Sequence, residues 1–295
     1  MTCMACGSAN IESHETKISD FLVERIYGSN VDNPIPTLLL RCCDCGFAYY
    51  EKRFTDVEEE KIYQGYRTDE YQKMRQRHDI WYTPEINFAL GNDEKGLDQR
   101  KQIIESICKA KIGNQIHSAL DFGGDMGQKY PEGLSIENKY VYDISGVDTM
   151  SGVIGIKNIE EVRKLQFDFI MCNQVLEHIG DLDTFINTLK SLGNIDTWYY
   201  FDVPYDTPFE KSPLDNLQYL FNPFFPVATM VRHLYKVKKQ GYFAPMTEHV
   251  NFFTPDSLVC LFERHGFEIE SCNVSRISDV LGRGKVLSIL CKSCN

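Results

Sequence analysis

Four cysteines fall in two pairs, Cys3-x2-Cys6 and Cys42-x2-Cys45, separated by 35 residues and each followed at once by glycine, Gly7 and Gly46. A C-x-x-C turn places two thiolates on one side of a metal, so two such turns supply a closed tetrahedral shell of four sulfurs. The trailing glycine suits the turn that aims backbone N–H groups at those sulfurs. The pattern predicts a structural zinc ion on Cys3, Cys6, Cys42 and Cys45, with no position left open for chemistry. Buried or redox-active thiols are the competing reading. Cys43 competes with Cys42 as a ligand, but Cys43-x-Cys45 is tighter than an ordinary knuckle. A third pair, Cys291-x2-Cys294, ends the chain without a partner knuckle and reads as free thiols.

A second chemistry is written in Ala119-Leu120-Asp121-Phe122-Gly123-Gly124-Asp125-Met126-Gly127-Gln128. An apolar strand ends in an acid and opens a glycine-rich turn into a helical stretch. Glycine lets backbone approach a ligand, and a helix N-terminus offers free N–H donors. The next strand, Tyr140-Val141-Tyr142-Asp143, ends in another acid roughly 20 residues on, where a carboxylate can accept both hydroxyls of a ribose. The order D-x-G-x-x-x-G departs from the dinucleotide fingerprint G-x-G-x-x-G.

A third set lies at Thr247-Glu248-His249-Val250-Asn251-Phe252-Phe253-Thr254. A histidine whose neutral form is populated near pH 7 is a natural proton acceptor, and an adjacent carboxylate can orient it. A structural histidine bonded to its own loop is the plainer alternative. Glu177-His178 is a possible metal pair without an evident third ligand, so it reads as a cap that ties the following helix to the fold.

These residues need elements to position them. Strands are expected at 117–122, 139–142, 167–172 and 197–203, alternating with helical stretches in the manner of a parallel α/β sheet. The Ile103, Ile104, Ile107 spacing predicts a helix from about Glu94 to Ala110. Thr254 and Pro255 supply the N-cap and first position of a helix running to about His265, closed by Gly266. Residues 267–272 and 285–291 then complete the sheet as an antiparallel closing pair. The expected organisation is a zinc-binding module at 1–50, a polar and aromatic linker or lid at 51–92, and a ligand-binding α/β domain at 93–295. A Phe-, Pro- and Tyr-rich insertion at 205–250 interrupts that domain as a second lid.

The chain of 295 residues is 43% hydrophobic and 25% charged, a globular composition with material for a sizeable core. A formal charge of −11 repels phosphate backbones and argues against a nucleic-acid substrate. The short basic clusters at 109–111 and 232–239 suit solvated faces as well as phosphate sites. No apolar run approaches the roughly 20 residues of a membrane helix, and the N-terminus lacks the layout of a signal peptide. A cytoplasmic location is therefore expected, where thiols stay reduced.

Taken together, Ile103 to Ser293 resembles the class I S-adenosylmethionine (SAM)-dependent methyltransferases. Asp121 to Gly127 looks like their first motif, D-x-G-x-G-x-G, with Asp125 at the place of the middle glycine. Asp143 matches their ribose-binding acid, and Phe167 to Ile179 looks like their fourth-strand motif. The resemblance implies a Rossmann-like sheet and SAM as cofactor, with Asp121, Gly123, Gly124, Gly127 and Asp143 lining it. Asn173 and Gln174 would lie along its methionine part.

The zinc module combined with E-H-x-x-x-F-[ST] further resembles bacterial methyltransferases of sugars and surface polysaccharides, including nucleotide-sugar C-methyltransferases. That resemblance makes Glu248 and His249 catalytic candidates, with His249 as general base, and implies a sugar, nucleotide-sugar or glycan acceptor. The C-terminal domain usual in the sugar C-methyltransferases does not follow Asn295, so O-methylation is expected, with C-methylation as the nearest alternative. An RNA methyltransferase and a non-catalytic zinc-ribbon interaction protein remain the other readings.

Overall fold

The computed structural model describes residues 2–29, 31, 34–90, 92–113, 115–144, 147–206, 208–209, 245–279 and 282–294. The described chain runs β1 (Ile11–Lys17), α1 (Asp20–Tyr27), β2 (Pro36–Cys42), β3 (Ala48–Tyr50), α2 (Asp56–Tyr63), α3 (Asp69–His78), α4 (Pro84–Ala89) and α5 (Glu94–Ile112). It continues with β4 (Gln115–Phe122), β5 (Ser135–Tyr142), β6 (Ile154–Ile156), α6 (Ile159–Val162), β7 (Phe169–Asn173), α7 (Leu182–Ser191) and β8 (Trp198–Pro204). After the insertion come β9 (Asn251–Phe252), α8 (Pro255–Arg264), β10 (Phe267–Asp279) and β11 (Gly282–Ser293).

A seven-stranded sheet has the order β10-β11-β8-β7-β4-β5-β6. Strands β6, β5, β4, β7 and β8 are mutually parallel, and β11 and β10 close the sheet in antiparallel fashion, as expected. Every side chain of β7 is buried, which explains why it reads as an unbroken apolar run rather than an alternating one. Fully buried Phe169, Tyr199, Tyr200 and Phe201 fill the two faces of the central strands. Each such ring withdrawn from water contributes about 1.5–3 kcal/mol.

The helix starts follow local chemistry. Thr254 accepts from Ser257 N and forms a reciprocal capping box at α8, with Pro255 just inside. Thr55 forms a second capping box at α2, and Thr68 and Thr83 cap α3 and α4 by accepting from Tyr71 N and Ile86 N, so the stretch 51–92 holds three short capped helices.

A second sheet has the order β1-β2-β3-β9, all antiparallel. Its last strand comes from beyond the insertion: Ala48 pairs with Phe252 and Tyr49 with Asn251. The cysteine-bearing N-terminus is thereby woven into the same body as the chemistry-bearing loop at 248–249. Cys3, Cys42, Cys45 and Phe47 share one buried cluster with Leu176, Phe253, Leu258 and Phe262.

Candidate active site

Strand β4 lies where the sheet order turns: β5 and β6 continue to one side of it, β7 and β8 to the other. Such a switch point leaves a crevice at the carboxyl ends of the strands. Gly123 and Gly127 have φ of +74° and +81°, in the left-handed region that glycine enters freely. A Cβ on Gly124 would lie 2.4 Å from Asp121 Cγ, so only glycine lets this turn fold back over the acid. Asp125 has φ +55°, the conformation that the expected glycine at its place would supply. Three contacts hold it there: its N–H donates to Asp143 Oδ2 at 2.9 Å, and its Oδ2 accepts from Gln128 Nε2 at 3.1 Å and Arg67 at 3.2 Å.

Asp121 is fully buried, and so is Asn173 at the end of β7, whose Nδ2 donates to Asp121 Oδ1 at 3.3 Å. Asp121 Oδ2 and Asn173 Oδ1 have no hydrogen-bond partner among the described residues. Two adjacent buried acceptors without donors suit an ammonium group, such as the one on the methionine part of SAM. Ile144, next to Asp143 in the chain, and Met150 and Ile154 further along it are exposed apolar side chains. Sequence reasoning missed these three: Ile144 and Met150 stand outside helix and strand, where no periodicity marks them, and β6, which holds Ile154, is only three residues long.

Burial pushes Asp121 up to about 6. A carboxyl whose folded pKa exceeds the unfolded value of about 3.9 binds more protons in the folded chain between those two values. Its contribution to stability therefore declines as pH rises from about 4 to about 6. We expect Asp121→Asn to remove a decline of about 3 kcal/mol, from about two units at about 1.36 kcal/mol each. Denaturation midpoints of cofactor-free protein across this window check it; parallel curves for the two proteins would refute it.

On the other side of β7, Gln174 also has a left-handed backbone, φ +59°. Its Nε2 donates to Asp202 Oδ1 at 2.7 Å, and its backbone N–H donates to Asp202 O at 2.9 Å. Arg100 of α5 lies 3.8 Å from the same buried carboxylate. Gln174 thus sits just past the end of β7, with its side chain tied to Asp202.

Three residues further, Glu177 is 2% exposed and accepts backbone N–H groups of Val250 and Asn251 through its own carbonyl, at 2.7 and 3.1 Å. Those bonds carry the 248–251 loop to the end of β7. The rings of His178 and His249 meet edge to face with centroids 4.8 Å apart. The sequence reading of Glu177 and His178 as helix caps is corrected: α7 is capped by Asp181, which accepts from Thr184 N. The third potential ligand that the sequence hid is His249, 71 positions beyond His178 and brought to it by β9.

Glu248 turns away from that pair. Both of its carboxylate oxygens accept from Arg75 of α3, and Tyr71 OH lies 3.5 Å from Oε1. The Arg75 guanidinium is itself enclosed by the rings of Phe21, Trp81 and Tyr82 at 5.0, 5.6 and 4.7 Å. Arg53 is the other organiser: it donates to the carbonyls of Ile179, Gly180 and Val250 and to Asn251 Oδ1. Neither arginine carries a motif that marks it, and only the tertiary pairing reveals them. Of the aromatics in the 205–250 insertion that could stack on a sugar face, Tyr205 is described; Phe224, Phe225, Tyr235, Tyr242 and Phe243 lie outside the described residues.

Away from the crevice, Cys3 Sγ lies 3.6 Å from Cys45 Sγ, and Cys6 Sγ 3.6 Å from Cys42 Sγ. Four sulfurs about 2.3 Å from a central zinc form a tetrahedron with edges of about 3.8 Å, so the spacing suits that ion. The cysteine beside Cys42 is exposed, which leaves Cys42 in the cluster and Cys43 outside it. Gly7 and Gly46 take φ of +77° and +74°, and backbone N–H groups of Ala5 and Cys6 face Cys3 Sγ. Cys291 is buried against Tyr199 O while Cys294 is exposed, so the terminal pair does not converge.

Residues 75–272 match the family model described as "Methyltransferase domain". No curated protein matches the chain. Among solved structures, the Burkholderia thailandensis 1,6-didemethyltoxoflavin-N1-methyltransferase superposes with a TM-score of 0.46 at 14% identity, over 86% of this chain and 97% of that one. Magnesium protoporphyrin IX methyltransferase from Synechocystis PCC 6803 superposes with a TM-score of 0.44 at 13% identity, over 79% of this chain and 99% of that one. With the family match covering about two thirds of the chain, including β4 to β8, the chain belongs to the methyltransferase domain family and is a SAM-dependent methyltransferase.

Proposed function

We propose that the protein methylates a hydroxyl of a sugar or glycan precursor, with His249 as general base. The observation that carries the reading is the placement of His249 at the end of β7, edge to face with His178 and bound through its neighbouring amides to Glu177. SAM, when bound, supplies an electrophilic methyl group on a sulfonium centre. Asp143 would accept the ribose hydroxyls; Asp121 and Asn173 would accept the ammonium; and Gly123, Gly124 and Gly127 would admit the backbone to close approach. His249 takes the acceptor proton as the oxygen attacks in line. Glu248 does not touch the acceptor in this reading: bound to Arg75, it positions the loop that presents His249.

Tyr63, Tyr66 and Tyr71 form an edge-to-face series beside His178, and Tyr66 is 39% exposed, an aromatic face suited to a sugar ring. The combination of cysteine module and Glu248-His249 with its resemblance to sugar methyltransferases supports the acceptor class. Zinc on Cys3, Cys6, Cys42 and Cys45 is structural in this reading, and the cytoplasm is where those thiolates stay reduced. No helix among the described residues is long and apolar enough to cross a membrane.

The test is incubation with SAM and a panel of nucleotide sugars and glycan precursors, read by mass spectrometry. A mass gain of one methyl on an oxygen is expected, and methylation of RNA alone would contradict the reading. We expect Asp143→Ala to abolish SAM binding, since its carboxylate also holds the turn at Asp125 N–H. Unchanged affinity on a calorimetric titration would remove Asp143 from the cofactor site.

A further inference from the structure

We propose that Glu177, His178 and His249 form a binding site for one divalent transition-metal cation, separate from the four cysteines. A carboxylate oxygen and a ring nitrogen from each histidine lie within 4.8 Å of one another. The orientation of His178 gives this cluster its meaning. Its Nδ1 is 3.1 Å from the backbone carbonyl of Glu248, which can only accept, and 2.9 Å from Tyr63 OH. Nδ1 therefore carries the proton, and Nε2 presents its lone pair. That lone pair faces Glu177 Oε1 at 3.8 Å, and Glu177 Oε2 has no hydrogen-bond partner among the described residues. The unpartnered Glu177 oxygen and the Nε2 lone pair thus face one position, and a cation there would satisfy both in place of the proton that burial otherwise keeps on the Glu177 carboxyl.

A metal-ligating imidazole commonly donates its second nitrogen to a backbone carbonyl, which fixes the ring and raises its basicity. The Glu248 carbonyl does this for His178. The Arg75–Glu248 pair and the amides bound to Glu177 O hold the backbone that makes those contacts. Three protein ligands of nitrogen and oxygen leave coordination positions open, unlike the closed thiolate shell at the N-terminus.

The binding claim stands on this geometry. Its consequence rests on the proposed role of His249: a coordinated imidazole cannot accept a proton, so occupancy of the site slows methyl transfer. The test is a cobalt(II) titration of the full-length chain prepared without bound metal. Wild type is expected to take up two equivalents. The first shows intense thiolate-to-cobalt charge transfer, and the second shows the weaker visible bands of a nitrogen- and oxygen-ligated ion.

Glu177→Gln and His178→Ala are each expected to keep the first equivalent, which also reports an intact fold, and to lose the second. Saturation of wild type at one equivalent overturns the site, as does retention of the second by both variants. Turnover that is unchanged or raised with two equivalents bound contradicts His249 as base while leaving the cation site standing.

Discussion

His249→Ala is expected to leave SAM affinity and the unfolding midpoint unchanged while slowing methyl transfer by about 100-fold or more. A positioned base contributes about 10²–10⁴-fold to a proton-transfer step. The residue is half-buried, and its backbone position is set by neighbours rather than by its own ring: Val250 and Asn251 donate to Glu177 O, and Glu248 is held by Arg75. Loss of the imidazole therefore removes chemistry without removing the loop. Asp121, the glycine turn and Asp143 lie at or just past the ends of β4 and β5 rather than on the 248–251 loop, so cofactor binding is expected to persist. Single-turnover rates with the identified acceptor, alongside a SAM titration, provide the check. Near wild-type turnover would show that the acceptor loses its proton by another route.

The second large effect concerns the fold. Glu248 is 9% exposed and Arg75 is also 9% exposed, so their pair is nearly removed from water. Removing one partner of such a pair strands a buried charge and costs about 3–5 kcal/mol. Arg75→Ala should fall in that range and should also strip the cation from the rings of Phe21, Trp81 and Tyr82. The double replacement Arg75→Met with Glu248→Leu is expected to cost less than either single loss, because no charge is then left unpaired. Denaturant unfolding of Arg75→Ala, Glu248→Leu and the double variant measures this. A cost below about 1 kcal/mol for Arg75→Ala would place the pair among exposed ion pairs and contradict the argument.

The elements that were legible in the sequence are those whose signals are local. The β4 strand and its turn announce themselves through Asp121, Gly123 and Gly127, because close backbone approach tolerates few other residues. Thr254-Pro255 marks α8 through capping chemistry, and the apolar runs of β7 and β8 mark a parallel sheet with both faces covered. Cys3, Cys6, Cys42 and Cys45 converge because two short turns need only one hairpin, β1 with β2, to bring them together.

The site's organisers were not legible, since their partners lie far away in the chain. Arg53 reaches residues 126 to 198 positions distant, and Arg75 reaches Glu248 across 173. The Glu177-His178 pair read as a cap because its third member, His249, is delivered by β9. That two-residue strand pairs with β3 of the N-terminal sheet, a contact no periodicity encodes. The cysteine module is therefore tied to the chemistry: Thr254 Oγ1 donates to Cys45 O at 2.6 Å, a few residues beyond His249.

The most direct test of the account is calorimetric titration of the full-length protein with SAM, with Asp143→Ala run beside it. Saturable binding at one site per chain, lost in the variant, is the predicted result. No measurable heat at millimolar SAM with folded wild-type protein would contradict the claim that this chain is a SAM-dependent methyltransferase.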